Sequence, residues 1–473
     1  MNHLVITKDG AVDINTGVVV DTSIVYDDKF LVELARYAEK YPKQTDYNNE
    51  LHLYFLIPLL EKVEYMKRES IEKIEFQAKN TEEAFFWRIA AAYGQIVTDE
   101  PINLIEKMTA LIKAKFAFVA VIIYTAMLSV YVLMKYRDSG SKKRCKSLSV
   151  IRANATYSKM SFLKDEKVEF FNDDLVYEGH GNESLYKAPF VIRAKGVFYA
   201  MAYSMRDCFR LHRVAKKMFG IEFAGYVLTY YKKRIPHKAL FEHYMKELIF
   251  RLKPEIIYTG NKEDRFAIVE KRICQSSAIA CTCIPHGLEY AFKMPAGLVG
   301  DTFYCTSRAA FEYLSRIYGN SGQKFCFDKK LAIKMFGKKR KDGSKKRIVF
   351  FPESREKEKN LRIIKLLDSF NVEYRVKLHV KDSLNNYDQY VSESMLVSDF
   401  DEAISNNICI ARKSTVLLEA IYNESISIAV LIDEKDKRYV EYMFPSLTDE
   451  EIRKVYTPEE LRCELANLGL SCV

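Results

Sequence analysis

The feature that most constrains the fold is an alternation of strand-like and helix-like segments from about residue 148 to the carboxyl terminus. Short apolar runs such as AIACTC and RIVFF alternate with longer segments of helical periodicity, such as EKEKNLRIIKLLDSF. A basic stretch at 337–347 interrupts the series, which then starts again. Repeated strand–helix units are typical of parallel sheets covered by helices. The sequence therefore predicts an α/β protein with two doubly wound, Rossmann-like domains that face a cleft.

The chain of 473 residues is long enough for two or three domains. Two basic, glycine-containing stretches, at 138–147 and 337–347, are predicted linkers. They divide the chain into a mostly helical amino-terminal region (1–147), a first Rossmann-like domain (148–336) and a second (346–473). Within the first domain, IEFAGYVLTYY at 221–231 has the residue types of a strand.

A charge-free apolar segment spans residues 116–134 and has lysines on both sides. About 20 apolar residues suffice to cross a bilayer, and flanking cations and tyrosines suit its interfaces. The segment is predicted to be a helix buried in the core, an anchor lying in the membrane surface, or a full span. The sequence leaves these three alternatives open.

The net charge and the cysteine content indicate the kind of partner and the compartment of the protein. The net charge of +10 indicates an anionic partner, such as a phosphate group or a membrane surface. The ten cysteines contain no CxxC pair, which predicts reduced thiols in a cytoplasmic protein rather than a zinc or disulfide framework. The start of the chain lacks the pattern of a signal peptide. Because the basic runs contain no interleaved aromatic residues, nucleic acid is not the predicted partner.

A histidine follows a predicted strand in CIPHG, where His286 is expected to project into the cleft. An imidazole there can act as a general base or bind a phosphate, although a histidine that caps the loop by hydrogen bonds is equally compatible. Gly287 is predicted to let the backbone turn tightly.

Two further sets of polar residues fall at strand ends in the last domain. His379 closes the strand VEYRVKL, and Ser414 and Thr415 precede the helix VLLEAIYNE. Hydroxyls and free N–H groups at a helix start can bind an anion, although an ordinary helix cap has the same sequence. Glu419, one turn along, is a candidate ligand of a ribose hydroxyl or a solvent-facing residue.

The order of PHG, KLH and RKSTVLLEA resembles the carboxyl-terminal half of bacterial two-Rossmann (GT-B type) glycosyltransferases, over about residues 235–435. It is similar to bacterial sialyltransferases of capsule and lipooligosaccharide synthesis and to teichoic-acid-type glycerophosphotransferases. The first resemblance implies that His379, Ser414 and Thr415 bind the phosphate of CMP, although Val380 stands where that family has proline. The second implies a catalytic role for His286.

The sialyltransferase resemblance also implies an acidic pair that acts as general base. Asp173 and Asp174 are the candidates, but Leu175 stands in place of the family's glycine, and a plain turn is the alternative. The expected reaction is displacement at the anomeric carbon of a nucleotide sugar, by a base among His286, Asp173 and Asp174. No metal ion and no cofactor besides the nucleotide-sugar substrate are expected.

The resemblance implies transfer of a sialic acid or related acidic sugar from a CMP donor to a growing bacterial surface glycan. The acceptor would be lipid-linked or an oligosaccharide, and the enzyme would be cytoplasmic, with contact to the inner membrane surface. Polyol-phosphate transfer and a UDP-sugar donor are alternatives within the enzymes. A non-catalytic, membrane-associated assembly factor is the alternative from another class.

Overall fold

The structure is a computed structural model that describes residues 2–43, 45–79, 81–98, 104–137, 144–337 and 346–470. The side chains of residues 104–107 and 222 are outside the description. Most of each predicted linker, at 138–143 and 338–345, also lies outside the described residues. The predicted division of the chain into three domains therefore stays a prediction.

The described strands are β1 (Asn2–Thr7), β2 (Gly10–Asp13), β3 (Ile71–Phe76), β4 (Val97–Thr98), β5 (Ser147–Ile151), β6 (Glu169–Asn172), β7 (Glu183–Ser184), β8 (Ile256–Thr259), β9 (Ala280–Cys283), β10 (Thr302–Tyr304), β11 (Lys324–Cys326), β12 (Ile348–Phe351), β13 (Tyr374–Val376), β14 (Ile408–Ala411), β15 (Ile426–Val430) and β16 (Ile452–Val455).

The described α-helices are α1 (Asp28–Glu39), α2 (Asn48–Leu51), α3 (Ile57–Arg68), α4 (Glu82–Gly94), α5 (Leu104–Lys135), α6 (Asn154–Met160), α7 (Phe190–Phe219), α8 (Ile221–Tyr231), α9 (Arg234–Leu252), α10 (Arg265–Ser276), α11 (Arg308–Tyr318), α12 (Lys329–Phe336), α13 (Lys357–Ser369), α14 (Phe400–Ile404), α15 (Val416–Ile421), α16 (Glu434–Arg438) and α17 (Pro458–Asn467).

The strands form three sheets. The first, of order β2-β1-β3-β4, belongs to the amino-terminal region, which thus contains a sheet beside its helices. The second has seven parallel strands in the order β11-β10-β9-β8-β5-β6-β7, and the third has five in the order β13-β12-β14-β15-β16. We call these the large sheet and the small sheet.

Both parallel sheets are doubly wound. In each of them the first strand lies between neighbours from which the chain proceeds to opposite edges, β5 in the large sheet and β12 in the small one. The strands of the small sheet are almost completely buried, as expected when helices cover both faces. The predicted α/β fold with two Rossmann-like units is confirmed.

The segment at 221–231 is a helix, α8, and its prediction as a strand was wrong. Its buried side chains, Phe223, Val227 and Tyr231, recur every four residues and pack into the core beside α5. Aromatic and β-branched residues favour strands locally, but periodicity over so short an apolar run does not separate the two structures. Packing on α5 decides the outcome.

Candidate active site between the two parallel sheets

The crevice of the large sheet lies between β5 and β8, where the strand order reverses. Ligands of doubly wound sheets bind outside the carboxyl ends of the strands at such a point. Arg152 directly follows β5, and Gly260 and Asn261 directly follow β8. A Cβ atom on Gly260 would overlap the side chain of Thr156 on α6, so the close approach of this helix requires glycine here.

Arg152 is a buried cation at the centre of this crevice. Its guanidinium donates to Glu270 (2.8 Å) and contacts Asp264 (3.4 Å). With the amide of Asn261 turned so that its oxygen faces the guanidinium, Arg152 Nε also donates to it at 3.0 Å. A buried charge requires such partners. Arg152 therefore orders the ends of β5 and β8.

Asp173, at the end of β6, is fully buried and forms a hydrogen-bonded cluster. Its carboxylate lies 2.8 Å from His237 Nε2 and accepts a hydrogen bond from the Tyr186 hydroxyl at 2.6 Å. Burial raises the pKa of Asp173, but His237, Tyr186 and Arg152 outweigh it and hold the pKa below its ordinary value. Asp173 is therefore a carboxylate whose oxygens are already in use.

Asp174 does not join this cluster. It is half-buried, bonds to Ser184 and lies near Glu178 and Lys135, and burial raises its pKa. The structure thus places Asp173 at the crevice beside Arg152 and directs Asp174 to a different neighbourhood. The two carboxyl groups thus have different hydrogen-bond partners, and their predicted role as a general base stays a prediction.

His286 follows β9 and lies near Arg152 and Asp264. Its Nδ1 donates to the carbonyl of Gly260 (2.7 Å), which leaves Nε2 as the proton acceptor. Burial lowers the pKa of His286, and nearby Lys262 and Arg152 lower it further. The imidazole is therefore neutral at pH 7 and has the protonation state of a general base.

Gly287 does not need to be glycine for conformational reasons. Its φ lies outside the left-handed region, and a Cβ atom at this position would meet only Lys262 Nζ, at 3.8 Å. The backbone bends at residues 286 and 287, but this bend does not depend on glycine.

The crevice of the small sheet lies between β12 and β14. Arg412, directly after β14, is buried and donates to both oxygens of Asp436 (2.6 and 2.9 Å). It also donates to Glu356 (3.0 Å) and to Asn360 (3.1 Å). Lys413 binds the same two carboxylates, Glu356 at 2.9 Å and Asp436 at 3.2 Å. Arg412 and Lys413 are thus held in an ion-pair network with Glu356 and Asp436.

Glu353 lies two residues after β12 on the same crevice. Burial raises its pKa to about 7, against the opposing effect of Arg412 and Lys413. Its Oε1 is buried without a hydrogen-bond partner among the described residues. A carboxyl group with this pKa is half protonated at neutral pH and can both donate and accept a proton.

The predicted donor-binding residues lie around this crevice at different depths. Ser414 and Thr415 precede α15, a helix of six residues, and Ser414 Oγ accepts from the Val416 amide at 3.3 Å. Glu419 is buried and pairs with Lys159 of α6 (3.1 Å). His379 is exposed, three residues beyond β13, and its Nδ1 accepts from the Lys381 amide at 3.1 Å. The roles assigned to these residues stay predictions.

The two crevices face each other across a group of aromatic side chains. Phe444 packs against Tyr290 of the large-sheet unit (5.4 Å between ring centroids) and against Tyr439 (4.5 Å). Lys262 Nζ lies 4.7 Å from the Tyr290 ring, and Lys413 Nζ lies 5.4 Å from the Tyr439 ring. The side chains beside His286 therefore connect to those beside Glu353.

Among the described residues, one cluster of carboxylates could geometrically hold a metal ion. Asp46, Asp207 and Glu242 lie close together. The ammonium group of Lys238 is within hydrogen-bond distance of all three carboxylates, and Arg272 binds Asp46 and Glu242. Lys238 and Arg272 supply the counter-charge that a metal ion would bring.

No family model and no curated protein matches the chain. Among solved structures, it is similar to the UDP-GlcNAc 2-epimerase from Methanocaldococcus jannaschii (TM-score 0.38, 9% identity, 68% of this chain and 92% of that chain). It is also similar to the UDP-GlcNAc 2-epimerase from Neisseria meningitidis bound to UDP-GlcNAc (TM-score 0.41, 9% identity, 69% of this chain and 91% of that chain). The assignment of the fold rests on the strand orders of this chain.

Sequence reasoning found His286 and Asp173 but missed their surroundings. Glu353 follows the buried run IVFF within two residues, and Arg152 follows SLSVI directly. A polar residue directly after a buried strand is a signal that could have found both. His237 gives no such signal, because it lies in the first turn of a helix, α9, and reaches Asp173 only in the folded protein.

Proposed function

We propose that the protein is a metal-independent enzyme that binds a nucleotide-activated sugar between the carboxyl ends of its two parallel sheets and transfers the sugar to an acceptor. The feature that supports this proposal is an acid–base group beyond a strand of each parallel sheet, His286 after β9 and Glu353 after β12. Aromatic side chains, Tyr290, Phe444 and Tyr439, lie between the neighbours of these two groups. Burial favours the uncharged form of both. A displacement reaction needs one group that takes a proton and another that assists the leaving group.

In the proposed reaction, the acceptor hydroxyl oxygen attacks the anomeric carbon while His286 Nε2 takes the hydroxyl proton. The bond between the anomeric carbon and the phosphate oxygen breaks, and its electron pair stays on the phosphate. Glu353 donates its proton to the departing phosphate, and the charge of Lys413 stabilises it. The products are the glycosylated acceptor and the free nucleotide. His286 is preferred to Asp173 as base because the Asp173 carboxylate is held by His237 and Tyr186.

The donor is assigned to the small sheet. Ser414 and Thr415 would lie beside its phosphate, with His379 at the rim and Glu419 toward the ribose. The motif resemblance favours a CMP-linked acidic sugar such as a sialic acid, and a bacterial surface glycan as acceptor, which places the reaction on the cytoplasmic side of the membrane. Polyol-phosphate transfer and UDP-sugar transfer use the same crevices with another donor.

The first experiment measures thermal stabilisation by CMP, CDP, UDP, GDP, ADP and UDP-GlcNAc. A ligand at 100 times its Kd adds about 2.7 kcal/mol to the free energy of unfolding. We expect CMP to raise the melting temperature and the His379→Ala variant to lose this response. Stabilisation by UDP or UDP-GlcNAc instead would change the donor, and no response to any nucleotide would favour a non-catalytic assembly factor.

The second experiment separates binding from chemistry. His286→Asn keeps a side chain that can hydrogen-bond but removes the proton acceptor. We expect unchanged nucleotide binding and a fall in turnover of about 10²–10⁴-fold, the usual worth of a general base. Product analysis then distinguishes a glycosidic bond from a phosphodiester or an epimerised sugar. Full activity of His286→Asn would contradict the proposed mechanism.

A further inference from the structure

The long helix α5 is apolar on all sides but covered on only one. Its inner positions, among them Ala117, Val121 and Val132, are buried against the rest of the protein. Its outer positions are exposed and recur every three or four residues: Ile112, Phe116, Val119, Ile123, Met127, Val130 and Met134. A helix that is apolar all round is normally enclosed by protein or by lipid. Within the described part of the chain, no segment covers the outer side of α5.

Helix α7 extends this apolar surface. It runs antiparallel to α5, since Phe209 packs on Phe118 (4.9 Å between ring centroids) and Arg193 donates to the carbonyl of Leu133 at the opposite end. Phe198 of α7 is 78% exposed, and Phe116 of α5 is 72% exposed. We call the joint outer surface of the two helices the α5–α7 face.

The α5–α7 face is too large for an incidental patch. Sixteen of the 27 exposed large apolar side chains among the described residues lie on α5 and α7. From Phe116 to Met134 the rise of an α-helix gives a length of about 27 Å, and two packed helices give an area on the order of 500 Å². Soluble monomers rarely expose more than a few hundred Å² without a partner.

The charges around the face are positive. Exposed cations stand at both ends of the apolar stripe and along α7: Lys113, Lys115, Arg137, Lys195, Arg210, Arg213, Lys216 and Lys217. Lys135, at the end of the stripe, is paired with Glu178 at 2.8 Å. The sequence has no acidic residue from 108 to 137 and one on α7, Asp207, whose carboxylate is buried in ion pairs. An apolar surface with a basic rim complements anionic lipid headgroups.

We propose that the α5–α7 face docks on the surface of a membrane that contains anionic lipids, with both helices lying in the membrane plane. The inner side chains of α5 share a core with the amino-terminal sheet, so α5 cannot leave the protein to span a bilayer without opening that core. Two copies joined through this face would bring their basic rims together, whereas a lipid surface neutralises them. The proposal is independent of the function of the crevices.

The test is flotation of the full chain with two kinds of vesicle, one of phosphatidylcholine alone and one that also contains about 30% of the anionic lipid phosphatidylglycerol. We expect binding to the anionic vesicles that weakens as salt rises. Replacing both Ile123 and Phe198 by Glu should lower binding by more than about tenfold, since each loses an apolar side chain from the lipid. Val32→Glu, on the exposed side of α1, is the matched control and should bind as the wild type does.

A second pair of variants addresses the rim. Lys216→Gln with Lys217→Gln should lower binding to anionic vesicles, by about fivefold per lysine near the surface, and leave the melting temperature unchanged. Absence of wild-type binding to both kinds of vesicle would overturn the proposal. The proposal would also be overturned if light scattering showed a dimer that the Ile123→Glu variant dissociates. The α5–α7 face would then bind a second copy of the chain rather than a membrane. Near-UV and far-UV circular dichroism confirm that each variant is folded.

Discussion

Glu353 and His286 each lie two or three residues beyond a parallel strand, β12 and β9 respectively, but burial shifts their pKa values in opposite directions. It raises the pKa of the carboxyl group and lowers the pKa of the imidazole, because in both cases it disfavours the charged form. Burial therefore favours the neutral imidazole of His286 and the protonated carboxyl group of Glu353. At the residue scale, the protonation states of these two side chains are set by their desolvation as well as by their residue type.

Replacing Glu353 by Gln is expected to change the pH dependence of stability. The pKa of about 7 in the folded protein exceeds that of an unfolded glutamate, so the folded state binds the proton more tightly. The stabilisation is complete below the unfolded pKa and is lost as pH rises through 7. Glu353→Gln removes this loss, so we expect it to be more stable than wild type by about 1–3 kcal/mol at pH 8 and equal at pH 4.

Urea unfolding at the two pH values checks this expectation. Glu61, of the amino-terminal region, is the matched control, because burial raises its pKa to about 7 as well. Glu61→Gln should show the same gain in stability at pH 8 without loss of turnover, whereas Glu353→Gln should lose both turnover and its pH dependence near 7. Equal stability of Glu353→Gln and wild type at pH 8 would contradict the raised pKa.

At the scale of the elements, the close contact between helices α5 and α8 depends on Gly225 of α8. A Cβ atom on Gly225 would lie 2.4 Å from the carbonyl oxygen of Ala110 on α5, and the backbone would have to move. Alanine is normally favoured over glycine inside a helix by about 1 kcal/mol. We nevertheless expect Gly225→Ala to destabilise the protein, by about 1–3 kcal/mol, as overpacking does.

Thermal unfolding measures this change in stability for Gly225→Ala, with Gly94→Ala as the matched control. Gly94 ends α4, and an added Cβ there would meet side-chain atoms no closer than 3.6 Å. Gly94→Ala should therefore leave stability unchanged or raise it slightly. If Gly225→Ala also gained stability, the close crossing of α5 and α8 would be wrong.

At the scale of the whole molecule, ion pairs join the amino-terminal region to the large-sheet unit. Lys238 of α9 is completely buried and binds Asp46, Asp207 and Glu242, while Arg265 binds Glu50. Burial raises the pKa values of Asp46 and Glu242, but the cations outweigh it and hold both below the ordinary range. This contribution to stability is present above the pKa of unfolded carboxyl groups and is lost as pH falls.

Lys238→Met is therefore expected to destabilise the protein by about 3–5 kcal/mol at pH 7, because it leaves buried carboxylates without their central partner. Lys246→Met is the control, since Lys246 binds the same Glu242 from a partly exposed position (2.9 Å) and should cost less than about 1 kcal/mol. Urea unfolding with tryptophan fluorescence from Trp87, in the amino-terminal region, reports on both. Equal stability of the two variants would contradict the central role of Lys238.

The sequence by itself determined the fold class and the places where chemistry can occur. Apolar runs such as ICIA and ISIAV are buried strands by composition alone, and the residues that follow them lie at a sheet edge whatever the details of packing. For that reason the local pattern made His286 a candidate, and the resemblance to sialyltransferases added Asp173 after another strand-like run. The charge-free apolar run at 116–134 likewise predicted a helix, but it left open whether protein or a membrane contacts that helix.

Only the tertiary structure decided what those residues do. The pairing of Asp173 with His237 joins positions 64 residues apart. The raised pKa of Glu353 comes from its burial in the folded protein, and the exposure of the outer side of α5 depends on where the neighbouring helices lie. Local propensity is a property of a few consecutive residues, whereas desolvation, ion pairing and exposure depend on segments distant in sequence. The same reason made 221–231 a helix against its strand-like composition.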